Sequence, residues 1–319
     1  MKKLLIASTA LVATAGMASA DITISGHAAA GIYSGLGLAN ATTATAGTAD
    51  VTTTLAAGGT VTTPGTLDVA TAAETFSDDG VYSNAGVDFT MTGATDNGIS
   101  FSATVNIDAG TEIDAGDFEL DGADGGTAGL GAVSMTGTFG SLTFDNGGID
   151  NLYDDGLAAA DVSYSTTVGA VSLTIAHDTA ENSANANSIS AGYTASGMGF
   201  TLLASEAAAG TSASLAVSYA LNDSVSVSAD TDQAAGGESV QTIGASTTLN
   251  GVSIAMSSAN NSTWDVDLGY TAGGFALTYG VDETDGWTAT ATAGLGGGAT
   301  FAAGVDSNNS TYAGVSFAF

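Results

Sequence analysis

The chain has 319 residues, a formal net charge of −31 and no cysteine. The lack of cysteine excludes disulfide bonds, and the negative charge argues against nucleic-acid binding because phosphate groups would be repelled. Glycine is abundant, at 45 residues, but 44% of the residues are hydrophobic, which argues against a disordered chain.

Residues 1–20 predict a secretory signal peptide that is cleaved off. Lys2 and Lys3 form a short basic region, residues 4–15 are apolar, and Ala-Ser-Ala at 18–20 is a small-residue cleavage site. The apolar stretch is too short for a transmembrane helix. The mature chain is then one domain at 21–319 with no lysine or arginine, and −31 minus the two lysines gives it a charge of −33.

The rest of the chain alternates between apolar and polar residues in segments of strand length. Alternation of this kind predicts strands with one apolar face. No later run is apolar for about 18 residues, so a position in a membrane would require a closed barrel of strands. The segments are 22–33, 82–92, 99–108, 131–139, 160–166, 171–176, 198–205, 213–221, 224–230, 240–249, 252–258, 264–270, 275–282, 287–293, 299–305 and 310–319.

Short and long connections alternate between these segments, as in outer-membrane barrels. Eight short turns rich in Gly, Asn and Asp are expected at 95–98, 139–141, 168–170, 196–199, 221–224, 249–251, 271–274 and 296–298. With both termini on the turn side, eight turns give eighteen strands, and one falsely assigned turn would give sixteen. Residues 34–80 form a long outer loop that is either disordered or contains an extra hairpin.

Aromatic residues near strand ends fit the girdles that such barrels carry at the membrane interfaces. The examples are Trp264, Tyr270, Tyr219 and Tyr164. The last strand also ends on aromatic residues, because Phe319 and Phe317 lie on its apolar face. This ending resembles the closing strand of bacterial outer-membrane barrels, in which the terminal aromatic residue is part of the signal for the barrel assembly machinery.

Four patches, in order along the mature chain, resemble the general porins of alphaproteobacteria, especially the Rhodobacter type. They lie at 21–26, 87–101, 133–145 and 314–319. The resemblance implies a transmembrane antiparallel β-barrel of sixteen strands in the outer membrane, usually a homotrimer, that passes small hydrophilic solutes by passive diffusion. It also implies a loop folded into the pore, at about Asn146–Leu157. The residues themselves leave the strand number at 16–18.

The acidic residues are the candidates for the pore lining. Alternation puts Asp88, Asp108, Asp161, Asp230, Asp265, Asp267 and Asp282 on the polar face, and the inward loop would carry Asp150, Asp154 and Asp155. Porins of the resembled family oppose such carboxylates with Arg and Lys, which this mature chain lacks. A negative lumen attracts cations, so we expect cation selectivity. The alternative is that these carboxylates only solvate rims and loops.

Other chemistries have little support in the sequence. His27 and His177 have no metal-ligand spacing, and there is no catalytic motif or phosphate loop, so we expect neither an enzyme nor a cofactor. The pairs Asp78-Asp79 and Asp154-Asp155 could hold divalent cations such as calcium loosely. Two alternative functions stay open: a non-conducting structural or adhesive outer-membrane barrel, and a secreted soluble all-β protein, which the terminal strand disfavours.

Overall fold

The computed structural model of the chain describes residues 20–38, 51–54, 60–63, 75–153, 158–179, 187–207 and 210–319. The predicted signal peptide lies outside these residues except for Ala20, which begins the first strand. The described part is all-β, and none of its segments is a helix long and apolar enough to cross a membrane.

Eighteen of the strands in these ranges form one large sheet. They are β1 (Ala20–Ser34), β5 (Gly80–Ala94), β6 (Ser100–Thr111), β9 (Asp124–Gly137), β10 (Gly140–Asp150), β11 (Ala158–Val168), β12 (Val171–His177), β13 (Asn187–Ala195), β14 (Met198–Ala207), β15 (Gly210–Asn222), β16 (Val225–Gln233), β17 (Val240–Leu249), β18 (Val252–Ala259), β19 (Trp264–Ala272), β20 (Phe275–Asp282), β21 (Trp287–Gly296), β22 (Ala299–Asp306) and β23 (Thr311–Ala318).

Five shorter strands lie outside the large sheet. They are β2 (Gly37–Leu38), β3 (Val51–Thr54), β4 (Thr60–Thr63), β7 (Ile113–Asp114) and β8 (Glu119–Leu120). Strands β3 and β4 pair antiparallel within the segment where the sequence left a disordered loop or an extra hairpin open. Strands β2, β8 and β7 form a small sheet that joins the connection after β1 to the connection after β6.

The large sheet closes on itself. Each of its strands pairs antiparallel with the next along the chain, and β1 pairs with both β5 and β23. The ladder reaches the last residue, since Phe319 N donates to Gly26 O at 2.9 Å and Gly26 N to Phe319 O at 2.8 Å. The structure is therefore an antiparallel barrel of eighteen strands, as the turns predicted. The sixteen strands implied by the family resemblance were wrong.

The two ends of the barrel differ in the length of their connections. All eight predicted turns occur where the sequence placed them, and both termini lie at that end, the turn end. The turn between β17 and β18 shows the chemistry, because Asn250 and Gly251 have φ values of 52° and 83°, the two positive angles of a type I′ turn. The connections at the opposite end, the loop end, are mostly longer.

The register puts apolar side chains on one continuous face around the ring. Ile254, Leu268 and Tyr279 lie side by side on β18, β19 and β20, and the row continues through Ala289 and Val305. This is the outer face, and it is open to the surroundings: Leu130 and Ile243 are 69% and 67% exposed. The predicted girdle residues Tyr164, Tyr219 and Tyr270 lie on this face near the turn end, and Trp264 lies on it at the loop end.

The opposite, inner face carries mainly Ser, Thr, Gly, Ala and Asp. Neighbouring strands join their hydroxyl groups there, as in Ser226–Ser246 at 2.7 Å and Thr278–Thr290 at 2.6 Å. Such cross-strand hydroxyl pairs contribute roughly 0.2–1 kcal/mol each. The inner wall is therefore polar and made of short side chains.

Tyrosine rings cover glycines on the inner wall where the barrel closes. A Cβ atom on Gly314 would lie 1.9 Å from the Tyr82 hydroxyl oxygen, and one on Gly31 would lie 2.5 Å from the Tyr82 ring. A Cβ on Gly304 would lie 2.5 Å from the Tyr312 ring. Because these glycines have no side chains, the tyrosine rings can lie flat on the sheet. The rings fill the space that side chains at the glycines would occupy.

Two segments depart from the expected plain loops. The sequence predicted strands at 99–108 and 131–139, but strand pairing continues to Thr111 and resumes at Asp124, and β7 and β8 lie between. The inward loop was expected to begin at Asn146, but β10 runs to Asp150 across shifts in its pairing with β11. The chain therefore leaves the barrel wall at Asn151.

The closing seam gives a test of close packing. In Gly31→Ala the new Cβ lies 2.3 Å from the backbone oxygen of Ala313, which cannot move without disturbing the ladder. We expect a loss of about 1–3 kcal/mol in the free energy of unfolding, measured by urea titration in detergent. Gly192→Ala is the control, because its Cβ approaches the rotatable Ser172 hydroxyl at 2.6 Å whereas the backbone oxygen of Phe200 is 4.0 Å away. Equal losses in both variants would contradict the seam's tight packing.

Candidate functional site

The segment after β10 folds onto the inner wall. Asn151 Nδ2 donates to Ser205 Oγ at 2.9 Å, and Leu152 N donates to Ser188 Oγ at 3.0 Å. Tyr153 OH reaches Asp232 Oδ1 at 2.9 Å, on β16. These acceptors share the inner face of β13, β14 and β16, so residues 151–153 are held against the wall by three hydrogen bonds. We call them the tethered segment.

A second group of residues covers the inner wall at the closing seam. Leu36, Phe118 and Tyr312 pack together, and the rings of Phe118 and Tyr312 have centroids 5.3 Å apart. Phe118 comes from the turn between β7 and β8, whereas Tyr312 belongs to β23. We call this group the seam cluster. It is the main buried apolar cluster of the described residues.

The tethered segment and the seam cluster narrow the lumen from opposite sides. Strand β14, which the tethered segment contacts, is nine pairings from β23 in either direction around the eighteen-stranded ring. Both groups lie near the loop end of the strands they touch. Both groups therefore cover the inner wall toward the loop end, on opposite sides of the ring.

Four carboxylates line a shallow cavity of about 300 Å³ on β19, β20 and β22. This acidic patch consists of Asp265, Asp267, Asp282 and Asp306. Asp265 and Asp282 are direct cross-strand partners, and Ser257 Oγ donates a hydrogen bond to Asp265. Like charges placed opposite each other are destabilising unless something neutralises them. No lysine or arginine occurs after position 3, so no basic side chain of this kind can neutralise the patch.

Two members of the acidic patch also hold loops. Asp282 Oδ1 accepts hydrogen bonds from Thr284 N at 2.7 Å and Gly286 N at 3.2 Å. Asp306 Oδ1 accepts from Asn308 N at 2.9 Å and Ser310 N at 2.7 Å. A carboxylate that bonds the backbone two residues on forms an Asx turn. These two residues therefore shape the loop end as well as charging it.

Asp161 has a similar structural task. Its carboxylate accepts hydrogen bonds from Gly147 N and Thr179 N, both at 2.8 Å. Gly147 lies in the irregular part of β10, and Thr179 follows β12. Asp161 therefore ties together three neighbouring segments at the loop end. The sequence assigned it to the pore lining but gave no sign of these contacts.

The remaining predicted lumen residues lie on the inner wall by register. Asp88 pairs with Ser25 and Asn106, Asp108 with Gly86, and Asp230 with Ala216 and Thr242. Asp150 ends β10, where it is exposed and pairs with Ala158. Asp154 and Asp155 lie outside the described residues, so the structure leaves the acidic content of the inward loop as a prediction.

The described residues contain no group of three or more His, Cys, Asp or Glu side chains arranged to hold a metal ion. Asp79, one of the carboxylates expected to contact divalent cations, accepts a hydrogen bond from Ser34 Oγ at 2.6 Å. That contact ties the end of β1 to the start of β5. Loose screening by cations remains a prediction.

Sequence reasoning missed the residues that narrow the lumen. Leu36, Phe118 and Tyr153 are large side chains within otherwise polar connections. That contrast with their surroundings was the available signal that these side chains are buried. Asp232 and Tyr82 carried no signal, because their roles depend on contacts with distant parts of the chain.

The tether can be tested with Tyr153→Phe. The change removes a hydrogen bond to a carboxylate. A bond of this kind contributes about 1.5–3 kcal/mol to the stability of the contact. We expect the Leu152 amide, bonded to Ser188 Oγ, to exchange its hydrogen faster in the variant. Tyr193→Phe, on the outer face, should leave that rate unchanged. An unchanged Leu152 rate in Tyr153→Phe would show that the tether does not hold the segment.

Comparison with known proteins places solved porins among the similar structures. No protein-family model and no curated protein matches the chain. A triple mutant of the Rhodopseudomonas blastica porin is 15% identical and has a TM-score of 0.47, with 94% of this chain and 100% of that chain covered. Another mutant of that porin is 16% identical with a TM-score of 0.49 at the same coverage. A porin structure refined at 1.8 Å is 14% identical with a TM-score of 0.46.

Proposed function

We propose that the protein is an outer-membrane channel through which small hydrophilic solutes and ions diffuse passively. The observation that carries the proposal is the closed eighteen-stranded barrel whose outer face is apolar and whose inner face is polar. A water-soluble protein rarely exposes apolar surface on this scale. In a bilayer the same surface contacts lipid, and closure satisfies the backbone polar groups. Barrels of 16–18 strands are wide enough to leave an aqueous channel.

The channel is cation-selective in this proposal. Carboxylates on the inner wall and at the loop end give the lumen a negative potential, which concentrates cations and repels anions. The acidic patch brings four carboxylates together around one cavity, and no Lys or Arg side chain lies near it because the chain has none after position 3.

Several finer parts of the proposal rest on the sequence and on what its resemblance to porins implies. Residues 1–20 direct export, and the terminal Phe319 is recognised by the barrel assembly machinery. The outer face contacts membrane lipid and three copies form a trimer. Divalent cations such as calcium are held loosely by the acidic loops. The protein has no catalytic role.

The alternative is a barrel that does not conduct. The tethered segment and the seam cluster favour it, because they narrow the lumen from opposite sides. Single-channel recording in planar bilayers separates the two functions. Discrete, voltage-driven current steps support the diffusion channel, whereas a silent, correctly folded barrel supports the structural role.

The membrane position can be tested with two adjacent residues of β14. Leu202 lies on the outer face and Thr201 on the inner face. We expect Leu202→Lys to lose about 2–4 kcal/mol of folding free energy in lipid vesicles, because the charge is buried in hydrocarbon. Thr201→Lys places the same charge in water and should lose little. A similar loss in both variants would argue against a lipid-facing outer wall.

Ion selectivity can be tested by neutralising the acidic patch. The double variant Asp265→Asn with Asp267→Asn should lower the cation-to-anion permeability ratio about five- to tenfold, because each of the two charges removed, roughly 7 Å from a permeating ion in water at about 0.1 M salt, contributes about two- to threefold. The measurement is the reversal potential across a salt gradient. Asp96→Asn removes a carboxylate from a short turn and serves as the control. Chloride preference in the unmodified protein would refute cation selectivity.

A further inference from the structure

One imidazole lies among carboxylates on the inner wall. His27 on β1, Gly86 on β5 and Asp108 on β6 form one row of register. His27 Nε2 is 3.6 Å from Asp108 Oδ1 and 3.7 Å from Glu112 Oε1, and all three side chains are partly exposed. The imidazole therefore faces two carboxylates at once.

Gly86 makes this approach feasible. A Cβ atom at position 86 would lie 2.0 Å from Asp108 Oδ1 and 2.3 Å from His27 Cε1. Because position 86 on the intervening strand β5 has no side chain, the side chains of His27 and Asp108 can meet across it. This juxtaposition is visible only in the folded register, because positions 27 and 108 are distant in the sequence.

Asp108 is bonded through one oxygen and faces His27 with the other. Asn106 Nδ2 donates to Asp108 Oδ2 at 2.7 Å. Asp108 Oδ1 is buried and accepts no hydrogen bond within the described residues. That oxygen is the one nearest His27 Nε2, so a proton on this nitrogen would point toward an unsatisfied acceptor.

The other charged groups near His27 are also acidic. Asp88 on β5 is two residues from Gly86 and lies diagonally to His27 and Asp108 on the same face. On the other side, Ala318 of β23 pairs with His27, and β23 carries no charged side chain. The surroundings contain no positive group other than the imidazole, because the chain has no Lys or Arg after position 3.

The second histidine of the chain occupies a different place. His177 pairs with Val162 of the outer-face row, at the loop end of β12, and its Nδ1 lies 3.0 Å from Asn187 Oδ1. The sequence contains only two histidines and no cysteine. His27 is therefore the one side chain on the inner wall that ordinarily changes charge between about pH 5 and 8.

We propose that His27 regulates the ion selectivity of the lumen by taking up a proton. The inference rests on the proposed channel function and adds its regulation. When the imidazole is neutral, Asp108 and Glu112 present two negative charges to the lumen. When it is protonated, it carries a positive charge beside both carboxylates, and the local charge falls from −2 to −1.

The direction of the effect follows from the charges. Carboxylates ordinarily titrate below about pH 5, so they stay ionised while an imidazole changes charge. Cation preference therefore rises as pH increases from about 5.5 to 8. The expected change in the cation-to-anion permeability ratio is about two- to threefold, the combined effect on both ions of one unit charge roughly 7 Å away in water at about 0.1 M salt. High salt reduces this change in the permeability ratio, because dissolved ions screen the interaction between exposed charges and a permeating ion.

The test is the reversal potential across a potassium chloride gradient at pH 5.5 and pH 8.0. The unmodified channel should show the two- to threefold change. His27→Gln should be insensitive to pH, with the high cation preference of the neutral imidazole. His27→Lys should be equally insensitive, with the low preference of the protonated imidazole. The two variants thus fix opposite limits of the same response.

His177→Gln is the matched control and should keep the full pH response. A response that persists in both His27 variants, or that disappears in His177→Gln, overturns the assignment to His27 while leaving the channel function intact. An unmodified protein that passes no current overturns the channel function and the regulation together. The two failures are therefore distinguishable.

Discussion

The pairing of β1 with β23 is the constraint on which the rest of the structure depends. A sheet of eighteen strands with two free edges would present unpaired N–H and C=O groups on both of them. The last strand removes both edges by pairing with the first, and the terminal residue Phe319 completes the ladder at Gly26. Because all neighbours are antiparallel, only an even number of strands can close in this way. Closure also creates an inside and an outside.

The interior is shaped by connections that turn back into it. The tethered segment uses an amide, a hydroxyl and a backbone N–H as donors, whereas the seam cluster uses apolar contacts. Neither needs a positive charge. In a chain without Lys or Arg after position 3, hydrogen bonds to Ser, Asn and Asp replace the ion pairs that hold segments together in other proteins. The carboxylates thereby serve as structural acceptors and, in the proposed channel, also as the source of its negative potential.

Much of the fold could be predicted because its signals are local. The two-residue period of a strand identifies its faces, so the outward position of Leu268 and the inward position of Asp267 follow from sequence alone. Positive φ at Asn250 and Gly251 belongs to a turn that the residue types already indicated. The strand number followed from these turns more accurately than from the family resemblance.

The contacts that could not be predicted join residues that are far apart in the sequence. The contact of His27 with Asp108 depends on the register of three strands, and the tether of Tyr153 to Asp232 spans 79 residues. Strand β10 continued to Asp150 because its partner β11 follows it past an irregularity, which composition does not reveal. The loop-holding role of Asp161 depends on backbone amides 14 and 18 residues away, at Gly147 and Thr179.

The short side chains of the inner wall have a mechanical consequence. Lysine and arginine lining a pore carry many rotamers, so the width of such a pore varies as they move. Away from the tyrosines of the seam, this wall is built mainly from Ser, Thr, Gly, Ala and Asp, whose rotamers change the bore little. Its cross-section is therefore set by the tilt and stagger of the strands. Away from the tethered segment and the seam cluster, the bore is a property of the backbone and is stiff against side-chain motion.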